Sequence, residues 1–145
     1  MIRVSAHFVW PSLTLSWSAE RSDTTLSVAA ALRRAERELQ GQGATVELAP
    51  EADRLRFSSG WPVMRAWLRT VAGGAVHVQQ SAEGVLATAQ ASLWPLALGS
   101  VPLLALLVVT RFHIVVDVFV FVLLGGHGLA AYFGLRNIAR ATLTL

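Results

Sequence analysis

Two rhythms divide this chain. Up to about residue 90 apolar positions alternate with polar ones or recur at helical spacing, and beyond it they follow one another almost without interruption. In the first region Ile2, Val4, Ala6 and Phe8 alternate with Arg3, Ser5 and His7. The alternation resumes in LTLSW at 13–17 after Pro11 and Ser12, which predicts two strands joined by a turn. The stretch SDTTLSVAAALRRAERELQGQG opens on capping residues and closes on Gly41 and Gly43, with Val28, Leu32, Ala35 and Leu39 on one face, as in an amphipathic helix. ATVELA at 44–49 and RLRFSS at 54–59 read as a hairpin that sets Val46 and Leu48 against Leu55 and Phe57. AVHVQQ and VLATAQAS, flanking SAEG, read as another.

Between these hairpins, WPVMRAWLRTVA at 61–72 predicts a second helix, with Ser59 as its candidate cap and Pro62 in its first turn. Trp61, Met64, Trp67, Leu68 and Val71 share one face, and Arg65 and Arg69 flank it. Such a helix either completes the core or lies on an anionic leaflet with its arginines among the headgroups. Of that pair, the core reading comes first. The expected unit is an α+β domain over residues 1–90.

The second rhythm predicts a membrane hairpin over 91–136. Leu93 to Thr110 is nearly all apolar, and its eighteen residues would cover about 27 Å of a hydrocarbon core roughly 30 Å thick. Between Arg111 and Arg136 the only formally charged residue is Asp117, so a second span fits at about 113–135. The connection at Thr110 to His113 is short enough to force an antiparallel pair with both chain ends on one side. Arg136 and Arg140 then favour a cytoplasmic C-terminus, leave 137–145 as a short cytoplasmic tail, and place the domain in the cytoplasm. Pro102 releases the carbonyl of Leu98 and predicts a kink. Trp94 and Tyr132 suit interfacial anchors.

Composition supports the membrane assignment: 54% of residues are hydrophobic and only 14% charged. All twelve basic residues are arginine, the usage of a GC-rich bacterial genome rather than a binding signature. A net charge of +3, spread along the chain, gives no nucleic-acid footprint. The absence of cysteine removes disulfides, thiolate metal sites and cysteine catalysis.

Chemistry is sparse. No HExxH, glycine-rich phosphate loop, GxSxG or paired-carboxylate pattern occurs, so neither an enzyme nor a metal centre is expected. His7 and His77 fall in strand patterns and read as solvent-facing. In the second span His113, Asp117 and His127 occupy an arc of about 80° on a helical wheel. Such a stripe could move protons, or His127 could ligate the metal of haem or chlorophyll. The plainer reading is an interfacial His113–Asp117 pair plus one isolated histidine. Gly126, Ala130 and Gly134 stand four apart and form a small-residue face for helix packing. Antiparallel packing brings His127 level with Gly99 to Val101, where Ser100 could bond its ring.

These features predict a non-catalytic accessory or scaffold subunit of a bacterial inner-membrane complex, with lipid and other membrane subunits, or further copies of itself, as partners. Two alternatives use the same residues: a small effector that oligomerises and perturbs the membrane, and a tetrapyrrole-ligating subunit of a redox or light-harvesting complex.

Overall fold

The structure is a computed structural model and describes residues 2–22, 25–48, 53–59, 71, 73–81, 84–110 and 114–144. It is α+β. Six strands, β1 (Ile2–Val9), β2 (Thr14–Arg21), β3 (Ala44–Leu48), β4 (Arg54–Ser59), β5 (Gly73–Ser81) and β6 (Gly84–Ser92), form one sheet in the order β1-β2-β6-β5-β4-β3. Every neighbouring pair is antiparallel, so the sheet consists of three hairpins side by side. Helix α1 (Val28–Gly41) carries the chain from β2 to the far edge at β3. Ser27 caps it by accepting the Ala30 N–H at 3.2 Å.

The alternation seen in the sequence sorts the two faces of the sheet. Leu15, Trp17 and Ala19 of β2 lie opposite Ala91, Ala89 and Ala87 of β6, and Val76 and Val78 continue these rows into β5. All are buried. The other face carries Ser16, Ser18, Thr88, Gln90, Arg54 and Arg56. Gly73 and Gly74 open β5. A Cβ on Gly74 would collide with the Gln90 carbonyl and come within 2.7 Å of the Phe57 ring, so only glycine lets the strand pass there.

Two helices follow the sheet. Helix α2 (Trp94–Val109) has sixteen residues and is continuous through Pro102. Its length, about 24 Å, falls short of a hydrocarbon core of roughly 30 Å. The full first span expected at 93–110 is therefore not present as a helix. Helix α3 (Ile114–Leu143) has thirty residues and is the one helix among the described residues long and apolar enough to cross a membrane.

The span expected to end at 135 does not end there. The segment 137–145, expected as a tail, continues α3 to Leu143, with Ile138, Ala139, Thr142 and Leu143 buried. Arg136 and Arg140 close the uniformly apolar stretch without closing the helix, because apolar residues go on recurring at three- and four-residue spacing on one side. This second half of α3 lies beside α1 against β2 and β6. The alanine rows of β6 meet Ala131 and Ala139 there, and Leu135, Ile138 and Leu143 fill the space between the layers.

Candidate functional site in the helical hairpin

Up to Ala130, α3 has only Val120 buried. Fifteen large apolar side chains stand exposed on α2 and α3, seven of them on α3 between Ile114 and Leu129. Such a surface exceeds what a soluble monomer usually shows to water. One face of α3 serves two neighbours in turn: Leu123, Leu124 and His127 meet α2, and Ala131, Leu135 and Ile138 meet the sheet.

Between the helices lies a hollow of about 160 Å³ lined by Pro95, Leu96, Gly99, Leu103, Leu123, Leu124 and His127. The expected depth is therefore found, with His127 beside Gly99. The expected partner is not. Ser100 donates its hydroxyl to Ala97 O at 2.6 Å, and His127 Nδ1 lies 2.7 Å from Leu123 O, so each side chain bonds its own helix. A carbonyl can only accept, so Nδ1 carries the hydrogen and, in the neutral ring, Nε2 keeps the lone pair. A ring nitrogen hydrogen-bonded to a backbone carbonyl holds the imidazole in one orientation. Among the described residues no group of three or more potential metal ligands exists.

The remaining intramembrane candidates separate. Asp117 lies in the first turn of α3, with Oδ1 buried and without a hydrogen-bond partner among the described residues. His113, its expected partner, lies outside the described residues. So do Trp61, Arg65, Trp67 and Arg69, the expected membrane-surface set.

The small-residue face does not hold together as one contact. Gly126 is exposed and a Cβ there would touch nothing, whereas Ala130 packs against the domain core and Gly134 is buried in it. Each four-residue step advances about 40° beyond a full turn, so Gly126 and Gly134 point about 80° apart. Gly125 and Gly128 are equally open, so α2 does not approach through any of these glycines.

Several residues emerge that the sequence did not single out. Arg21 Nη1 donates to Leu143 O at 2.8 Å and Arg34 Nη1 to Thr144 O at 2.6 Å, so β2 and α1 both hold the carbonyl end of α3. Tyr132, expected at the interface, instead stands edge-on to Trp17 with centroids 4.8 Å apart. The Arg136 guanidinium lies 5.8 Å from the same indole ring. On the polar face, Thr14, Arg54, Arg56, Gly73, Gln90 and Ser92 line a shallow hollow in which Arg54 Nε is buried with no hydrogen-bond partner among the described residues. Glu47 lies beside Arg56 across the strand pair and offsets part of its charge. These contacts depend on residues up to 122 positions apart, and no local pattern encodes them.

Comparison with known proteins finds no matching family model, no matching curated protein and no matching solved structure.

Proposed function

We propose that this chain is a non-catalytic, membrane-anchored accessory or scaffold subunit of a bacterial inner-membrane complex, held by a hairpin of α2 and α3 with both chain ends in the cytoplasm. One observation carries the reading: over 114–130 α3 is largely apolar and open except where Leu123, Leu124 and His127 meet α2, and over 131–143 its apolar stripe is buried in the domain. A helix of that kind anchors the domain rigidly to the bilayer. Each apolar stretch measures about 25 Å, a mismatch the bilayer meets by thinning at fractions of a kcal/mol per Å. Every arginine except Arg111 lies outside the hairpin turn, which favours the domain side as cytoplasmic. The open face at Gly126 is where a partner helix would pack. Purification of the tagged chain in mild detergent, with mass spectrometry of what accompanies it, tests the proposal. A defined partner or oligomer is expected. A lone monomer overturns the subunit reading, and recovery in the soluble fraction overturns the anchor.

A second reading has one specific observation in its favour. The His127 ring donates through Nδ1 to its own helix, which frees Nε2 for an axial metal bond in haem or chlorophyll. An absorption band lost in His127→Ala is its signature, and a colourless preparation from pigment-competent cells removes it.

A further inference from the structure

We infer that the tip of the first hairpin, Phe8 to Leu13, is a further membrane element that sits in the interfacial zone of the bilayer and docks the domain against the leaflet α2 enters. The inference rests on the anchored reading above. In strand register Val9 pairs with Thr14 and Thr14 with Ser92, so all three end in one row at the edge of the sheet. Helix α2 begins two residues after Ser92. The Leu93 N–H donates to Leu13 O at 2.7 Å, which ties the turn to the foot of that helix. Whatever depth Trp94 occupies, the tip lies close to it.

The exposed apolar surface is confined to these parts. Among the described residues nineteen large apolar side chains are exposed; fifteen lie on α2 and α3, three are Phe8, Val9 and Trp10, and the last is Leu48 at the opposite edge. Trp10 is 74% exposed and Trp94 50%. Phe8 and Val9 point to opposite faces of β1, so the tip is apolar on both sides. A protein partner seated on one face of the sheet would leave the other in water. A lipid interface surrounds both, and tryptophan favours that zone because its ring is apolar and its N–H polar. Part of the turn's polarity is satisfied internally: Ser12 donates to Val9 O at 3.2 Å and Thr14 to Ser12 O at 3.4 Å.

The chain has no cysteine, so single cysteines can report depth directly. The full chain would carry a nitroxide at Trp10→Cys, Val122→Cys or Gln79→Cys in phosphatidylcholine–phosphatidylglycerol vesicles, with relaxation by oxygen compared with relaxation by a water-soluble nickel chelate. Val9→Cys repeats the measurement with Trp10 intact. Position 122 is expected deep in the hydrocarbon. Positions 9 and 10 are expected within about 5–10 Å of the headgroup boundary, and position 79 in water. Positions 9 and 10 as wet as 79, with 122 embedded, would overturn the docked tip and leave the anchor standing. Labels at 9 and 10 shielded from both relaxants would overturn it in favour of a protein contact. Position 122 in water would remove the anchored reading, and the docked tip with it.

Discussion

The two halves of α3 differ in composition and have opposite surroundings: from Ile114 to Ala130 the only formally charged residue is Asp117, whereas the shorter stretch from Ala131 to Leu143 carries Arg136, Asn137 and Arg140. From Ile114 to Ala130 the apolar residues occupy every side, and only Val120 is buried. From Ala131 to Leu143 they occupy one stripe, and that stripe is the closing layer of the domain. What separates the two halves is thus the angular spread of apolar residues together with the polar side chains, Arg136, Asn137 and Arg140, that fill the remaining side of the second. The helix passes from one role to the other with no glycine-led break and no change of axis partner face: α2 and the sheet meet the same side of it in succession.

Truncation breaks this comparison most directly. Leu135→Ala removes a fully buried side chain and should cost about 3 kcal/mol of domain stability, whereas Leu129→Ala, two turns earlier and exposed, should cost well under 1. Chemical denaturation in detergent micelles reads both, and equal losses would erase the distinction between the halves. A charge probes the anchor in the converse way. Val122→Arg places a guanidinium midway along the exposed half and should weaken insertion by about 3 kcal/mol, while Asn137→Arg on the wet side of the second half leaves it unchanged. Carbonate extraction of membranes distinguishes the two variants.

Smaller effects sharpen the boundary. Arg21→Ala with Arg34→Ala removes both arginine donors from the end of α3 and should cost about 1–2 kcal/mol, seen as faster amide exchange confined to the last turns. Unchanged exchange would mean that packing alone holds the end. The smallest effect on folding is expected for Gly126→Leu, where a Cβ meets nothing, against a loss of about 1–3 kcal/mol for Gly134→Leu in the core. If Gly126→Leu leaves folding intact but releases copurifying proteins, the open glycine face is a contact for a partner. If it releases nothing, that face serves no assembly.

The sheet was legible because alternation with a period of two has one reading when turns and glycines punctuate it: Val46 opposite Phe57 and Leu48 opposite Leu55 could be read directly from the pattern. The stripe of Leu32, Ala35 and Leu39 made helix α1 equally plain, although its cap, Ser27, lies five residues inside the run of capping residues that opens at Ser22. The end of α3 was not. Arg136 and Arg140 mark a membrane boundary and the wet side of a core helix in the same way, and only the sheet beside them distinguishes the two. At the candidate site the antiparallel count placed His127 beside Gly99 correctly, since depth follows from length. The Ser100 bond failed because a serine in a helix can reach its own carbonyl three residues back, a competitor always within range. The apolar tip at Trp10 escaped notice because WPS reads first as a turn.

The place of α3 in the chain also orders events at the ribosome. Residues 131–143 are made after the sheet, after α1 and after both apolar stretches, yet they form the layer that closes the core over β2 and β6. Emerging strands therefore wait with an open apolar face until residues 131–143 have left the ribosome. A chain cut short before residue 131 is left with an unsealed sheet that quality control can recognise.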